Sequence, residues 1–430
     1  MRLVLPTRWR QRRLSMGALG ALGALAVALA FPAAAQSGDI DALLLADAPA
    51  APTVAARDWQ LFSELAAGQV HTLLGRDRDN QRVSLDLQID HSLAPGWRAV
   101  LADRLDVSWP PQGGQEHPIN TLNEAWVGWQ ASDTQAVDLG RINARFGVAT
   151  GYSPTDYFRT GSIRSVVSVD PGSLKKNRQG AFMLRSQAVW DQGALTALLS
   201  PRLAAQPSSA PFALNEGATN ASNRWLLAWS QRLNDQFNPQ WLLYGEERQA
   251  PQTGFNLATL VNDSTVAFAE WSGGRSRSQL AQALDLPEDR SFHQRLSAGA
   301  TWTAASKLSL TLEYSRNNTA LSAPAWRALQ NSASIGYAMY RNWTITAQEM
   351  ATHNMYAVYA HWPDVLVPHL ELNAMVRANA ADHSQLHWLE LRYHWSQIDL
   401  AMQWQGSKGS ARSEFGAVPH AWELSVRKYF

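Results

Sequence analysis

The sequence predicts an all-β chain, a single closed antiparallel transmembrane β-barrel of about 16 to 18 strands. Three observations predict it. The chain opens like an exported precursor, apolar and polar residues alternate with period two along most of its length, and aromatic residues abound without a second apolar run of helix length.

The N-terminus comes first. Arg2, Arg8, Arg10, Arg12 and Arg13 form a cationic start, Gly17 to Phe31 is almost wholly apolar, and Ala33-Ala34-Ala35 offers small residues for cleavage. This order predicts a cleaved signal peptide over residues 1–35. A membrane anchor is the alternative, but it needs about 20 strongly apolar residues. Here the run is shorter and mostly Ala and Gly. Arg12-Arg13 sits in Gln-Arg-Arg-Leu-Ser-Met, a poor twin-arginine match, and a barrel must reach its insertion machinery unfolded; a Sec-exported precursor is expected. Residues 36–57 are rich in Ala, Pro and Asp and read as a periplasmic leader, with Leu43-Leu44-Leu45 as a docking alternative.

Residues 58–430 are assigned to the barrel. The chain has 19 Trp, 10 Tyr and 12 Phe, 17% charged residues and a mean hydropathy of −0.26. Many aromatics with modest hydropathy suit a wall in which only alternate residues meet lipid. Cysteine is absent, which excludes disulfides, thiolate catalysis and thiolate metal sites. A net charge of +1 gives no support to nucleic-acid binding.

Alternation is clearest from Trp97 to Trp109. Trp97, Ala99, Leu101, Leu105, Val107 and Trp109 share one parity, and Arg98, Val100, Ala102, Arg104, Asp106 and Ser108 stand on the other. Successive strand side chains point to opposite faces, so such a segment is half apolar and half polar. Asp103 breaks the apolar face and predicts a bulge or an earlier strand end. Residues 307–314, 370–377, 388–395 and 397–404 repeat the pattern. Connections at Ser92–Gly96, Asp191–Gly193, Ala304–Lys307 and Arg341-Asn342 read as short turns. Those at Pro110–Asn120, Pro201–Asn220, Ser272–Arg290 and Gly406–Pro419 read as longer loops, the asymmetry expected of such a barrel. Counted from about residue 66, the strand number stays open because Gly254–Trp271 reads as one strand or two.

The last eleven residues end in Phe430, with Trp422, Leu424 and Val426 on the same parity. They resemble the C-terminal strand of Gram-negative outer-membrane porins, although Lys428 stands where an apolar residue is usual. The resemblance implies an outer-membrane location, contact with lipid and lipopolysaccharide, and recognition by the barrel-assembly machinery. It identifies no substrate-specific family.

Between Arg141 and Gly180 the chain carries Arg141, Arg145, Arg159, Arg164, Lys175, Lys176 and Arg178 against Asp156 and Asp170, with glycines and prolines that exclude one continuous strand. Two readings stand. The segment folds into the lumen as a cationic constriction, or it is an external loop meeting lipopolysaccharide phosphates. The candidate solute-facing residues are Arg145, Arg159, Arg164, Lys175 and Arg178, with Arg98 and Arg104 on the wall.

Other chemistry is weakly marked. His383 and His387 have helical metal-ligand spacing, but on a strand they stand about 13 Å apart, and no metal site is expected. Gly151-Tyr152-Ser153-Pro154-Thr155 begins like a nucleophile elbow and lacks the closing glycine. No phosphate-cradling or dinucleotide motif is present, so no cofactor is expected. Trp225, Trp229, Trp302, Trp395 and Trp404 lie on apolar parities near strand ends, as interfacial girdles do; a ligand-stacking slide is the alternative. The expected function is passive diffusion of small hydrophilic, possibly anionic, solutes, without enzymatic activity. A non-conducting structural or secretion-accessory barrel and a barrel-wall hydrolase are the alternatives. Nothing in the sequence marks an interface for a homo-oligomer.

Overall fold

The structure is a computed structural model that describes residues 57–71, 77–109, 117–205, 210, 212, 219–287, 289–332 and 335–430. The signal-peptide segment and all but the end of the leader lie outside the described residues. Eighteen strands form one sheet: β1 (Trp59–His71), β2 (Asp77–Ala94), β3 (Trp97–Trp109), β4 (His117–Ser132), β5 (Gln135–Ile142), β6 (Ala181–Trp190), β7 (Gly193–Ser200), β8 (Arg224–Gln231), β9 (Gln240–Glu246), β10 (Gln252–Asn262), β11 (Thr265–Ser276), β12 (Ser291–Thr303), β13 (Ser309–Asn317), β14 (Asn354–Trp362), β15 (Leu370–Asn379), β16 (Gln385–His394), β17 (Ile398–Lys408) and β18 (His420–Tyr429). Each pairs antiparallel with its chain neighbours, and β1 pairs with β18 from Phe62↔Tyr429 to His71↔His420, which closes the barrel. Closure leaves no unpaired edge for lipid to desolvate. No described helix is long and apolar enough to cross a membrane.

One rim carries tight turns such as Pro95-Gly96, Asp133-Thr134 and Asp263-Ser264, and the other carries the long connections. Gly96 holds φ +76° in its turn, a conformation other residues enter at a cost. Four short helices sit in the long loops: α1 (Pro171–Lys176), α2 (Gln279–Ala283), α3 (Ala323–Asn331) and α4 (Gly336–Ala347).

Alternation survives into three dimensions. Trp97, Leu105, Trp229, Leu312, Leu400 and Trp404 face out, whereas Glu64, Arg82, Asp86, Arg104, Glu270, Glu313 and Glu390 are buried inside. The register shifts between Ala102 and Asp103 where β3 meets β4, the bulge that Asp103 predicts. Gly254–Trp271 resolves into two strands with a two-residue turn. Several expected connections need correction: β2 runs on to Ala94, β4 already begins at His117, and β17 continues past Gly406 to Lys408. Arg341-Asn342 is no turn but the middle of α4, held by Tyr340, whose single hydroxyl proton is shared between the Ala351 carbonyl (2.8 Å) and Gln279 Oε1 (3.0 Å). Ser272 is still in β11, which runs on to Ser276.

Candidate functional site

The segment from Asn143 to Gly180, between β5 and β6, reaches across the barrel to the inner face of the opposite wall. Two inward carboxylates of that wall receive it. Glu270 on β11 accepts the backbone N–H groups of Val148 and Ala149 and the hydroxyls of Ser153 (2.9 Å) and Thr155 (3.2 Å). Glu313 on β13 accepts the N–H groups of Gly151 and Tyr152, each at 2.9 Å. Consecutive N–H groups converging on a carboxylate are strong, charge-assisted bonds. Gly147 makes the approach possible: at φ +107° a Cβ there would collide with Ser153 Oγ and the Glu270 carboxylate.

Apolar packing completes the docking. Tyr157 stacks flat on Tyr244 at 4.5 Å between centroids. Phe158 joins Ile142, Met183, Leu198, Leu226 and Leu242 of β5–β9 in one buried cluster. Tyr152 packs with Met355, Tyr359, Met375, Trp388 and Phe415 in a second cluster toward β14–β16. Two sectors of the inner wall are therefore covered by this segment and its neighbouring loops, each buried aromatic contributing about 1.5–3 kcal/mol.

The long-loop helices lock the segment from above. Arg159 pairs with Glu349, which also accepts from Tyr152 Oη (2.8 Å) and Asn317 Nδ2 (2.9 Å). Gln348 donates to the Arg159 carbonyl at 2.9 Å and accepts from Arg178 at 3.3 Å. Burial pushes the Glu349 carboxyl upward, but Arg159, Arg295 and the Tyr152 hydroxyl outweigh it and hold the group below its usual value. On the other flank, α1 begins at Asp170, which accepts from Ser173 N (2.7 Å), with Pro171 opening the first turn. Asn123 of β4 ties its end down by donating to the Lys176 and Arg178 carbonyls.

A third sector, formed by β1–β3 and β16–β18, has a charged inner face whose side chains are themselves buried: Glu64, Arg82, Asp86, Arg104, Asp106, Glu390 and Asp399 are each at most 6% exposed. Arg82 bonds Glu64 (2.6 Å) and Glu423 (2.7 Å), Arg104 bonds Asp106 (3.0 Å), Arg427 bonds Glu64 (2.7 Å), and Arg392 bonds Glu390 (3.0 Å). With Asp86 and Asp399, four guanidiniums stand against six carboxylates. Arg145 and Lys176, both exposed, face this wall from the docked segment. Lys176 lies within electrostatic reach of Asp86, Arg427, Arg104 and Arg145; enclosure lowers its pKa most, opposed by Asp86 and reinforced by the three arginines. The two added cations cancel the wall's excess of carboxylates.

The candidate residues fall into four groups. Arg145 is exposed beside Lys176, and Arg104 sits on the β3 wall, 3% exposed and bonded to Asp106. Arg159 and Arg178 belong to the docking of the segment: they are 6% and 4% exposed and pair with Glu349 and Asp156. Lys175 donates to the Ala149 carbonyl (2.7 Å) and Arg164 to the Ala210 carbonyl, so both tie loops together. Arg98 stands at the short-turn rim, paired with exposed Asp90. The sequence reading missed Arg82, Arg392, Arg427 and Lys176. Period-two parity marks the first three as inward, but nothing in one strand shows which sector of the wall it joins. Trp422, Leu424 and Val426 of β18 face outward with Phe430, whose N–H donates to the Leu61 carbonyl at 3.0 Å. Among the described residues no cluster of His, Asp and Glu could hold a metal, and Ser153 meets Glu270 rather than a histidine.

No protein-family model matches the sequence, and no curated protein does. Solved structures do. OccK5 (OpdH) of Pseudomonas aeruginosa aligns with 86% of this chain and 97% of its own, at 9% identity and a TM-score of 0.53. OccAB2 of Acinetobacter baumannii aligns with 86% and 97%, at 8% identity and 0.53. The outer membrane protein OpdK of Pseudomonas aeruginosa aligns with 87% and 99%, at 8% identity and 0.51. At such identities the likeness is one of fold, which here is a closed eighteen-stranded antiparallel barrel.

Proposed function

We propose that this chain is an outer-membrane porin through which small hydrophilic solutes diffuse passively, between the docked 143–180 segment and the charged β1–β3/β16–β18 wall. The observation that carries the reading is the division of the inner wall. Its apolar sectors are packed against the segment, while its charged sector is left with Arg145 and Lys176 opposite. A low-dielectric wall focuses the field of such groups onto whatever passes. Because the opposed charges balance, the channel is expected to be weakly ion-selective, with its cationic side on the segment. An anionic solute would run along that side, close to Arg145 and Lys176. No catalytic step is part of the reading.

The test is swelling of liposomes holding the refolded protein, in neutral sugars of increasing size. Rapid entry of the smallest sugars with a sharp size limit supports a constricted pore. Folded protein that admits none of them points to a non-conducting structural or secretion-accessory barrel.

A further inference from the structure

The outer wall holds an unexplained polar group. Along β3 the outward positions read Trp97, Ala99, Leu101, Asp103, Leu105, Val107 and Trp109, which puts Asp103 midway between two aromatic ends. Its row neighbours, Leu87 on β2 and Leu122 on β4, are apolar. The other outward-facing ionisable residues of the described strands, such as Arg141, Arg316, Lys408 and Lys428, lie near strand ends. Acyl chains offer no hydrogen-bond donor, so a carboxyl at this depth is costly.

Asp103 draws on the neighbouring Arg104 N–H and on one side chain. Asn120 Nδ2 donates to both of its oxygens, at 2.8 and 2.9 Å. Asn120 is itself 5% exposed, and its Oδ1 is buried with no hydrogen bond. The patch is therefore rich in acceptors and short of donors.

The same face supplies a donor. Ser63 is an outward residue of β1 between Leu61 and Leu65, and its hydroxyl has no partner among the described residues. Its depth follows from the register. The pairing row Trp59, Ile89, Leu101, Ala125, Arg141 starts at the short-turn rim on β1 and ends near the long-loop rim on β5, so rows climb in that direction. Ser63 pairs with Leu85, and Leu85 with Leu105. Two strand steps of about 4.8 Å at a tilt of about 40° climb roughly 6 Å, and the two residues from Leu105 back to Asp103 descend roughly 5 Å. Ser63 and Asp103 thus stand at nearly one depth, on either side of β2.

We propose that the β1–β3 outer face is a self-association surface whose partner is a second copy of this chain. A two-fold axis along the membrane normal through β2 sets Ser63 of each copy against Asp103 of the other, making the same contact twice, as an isologous interface requires. Leu85, 45% exposed on β2, lies close to the axis and meets its own counterpart. The Ser63 hydroxyl then donates to the acceptor capacity that Asn120 leaves on the Asp103 carboxylate. This proposal is independent of what passes through the lumen.

Because the chain has no cysteine, single cysteines report the contact cleanly. Leu85→Cys and, on the far wall, Leu312→Cys, at a position 61% exposed on β13, are refolded into phosphatidylethanolamine–phosphatidylglycerol vesicles and oxidised. The expected result is disulfide dimer at least tenfold faster from Leu85→Cys. Adding Ser63→Ala or Asp103→Leu is expected to slow it to the Leu312→Cys rate while the heat-sensitive gel shift of the folded barrel persists. Should Asp103→Leu fail to fold, Ser63→Ala decides. Equal rates for the two single-cysteine proteins would overturn the proposal and leave the face to lipid or to a different protein. So would a fast Leu85→Cys rate that neither added substitution changes.

Discussion

Glu270→Ala tests whether the 143–180 segment is held by the far wall. Glu270 receives two backbone N–H groups and two hydroxyls from that segment, and it is fully buried. Each hydrogen bond to a charged group contributes about 1.5–3 kcal/mol. The four do not add, because the carboxylate was desolvated to make them and water enters once it is gone; removing one partner of a buried charged network costs about 3–5 kcal/mol. At 1.4 kcal/mol per tenfold, even about 3 kcal/mol raises the undocked population roughly a hundredfold. Glu313, the Tyr157–Tyr244 stack and the Arg159–Glu349 pair remain, so the barrel is expected to fold and the segment to detach intermittently. In planar bilayers the variant should show larger, flickering conductance steps beside the wild-type level. Single-channel records indistinguishable from wild type, with the variant folded, would refute the docking argument.

Further outcomes follow from the same geometry. Gly147→Ala, forced into φ +107° with its Cβ aimed at Ser153 and Glu270, should reproduce the Glu270→Ala flicker; an unchanged trace would show that the segment yields there. Arg159→Ala leaves Glu349 buried without its cation, so a loss of about 3–5 kcal/mol is expected in urea unfolding followed by tryptophan fluorescence, and a loss under 1 kcal/mol would contradict the lock. Glu349 titrates below its usual value, so the stability it lends is present above the ordinary carboxylate range and lost as pH falls through its depressed value. Glu414, which burial pushes up against the pull of Arg377, acts in the opposite sense. Comparing wild type with Glu349→Gln isolates the first effect: wild-type flicker should rise on acidification below the ordinary carboxylate range, and the variant should flicker at neutral pH already.

Much of the wall was legible because each strand carries its own evidence. The 97–109 alternation fixed which side of β3 meets lipid, and Asp103 marked its bulge without help from any other residue. Residues 341–342 misled because Arg-Asn between apolar runs imitates a turn. What makes α4 there is tertiary: Tyr340 buried against Gln279 and Ala351. The site was half legible for the same reason. The basic composition of residues 141–180 marked the segment, but Arg159 meets Glu349, 190 positions away, and Ser153 meets Glu270 at a separation of 117. Closure of the barrel creates those pairs, and no spacing within the segment anticipates them.

The account is tested most directly by the reversal potential of the refolded protein in a planar bilayer under a salt gradient, with the Arg145→Ala/Lys176→Ala protein beside it. It predicts a steady open pore with a reversal potential close to zero in the wild type. In the double variant it predicts a shift toward cation selectivity, because the charged sector's excess of two carboxylates over its four guanidiniums is no longer offset. A folded wild-type barrel that never conducts, or a double variant with the wild-type reversal potential, would contradict it.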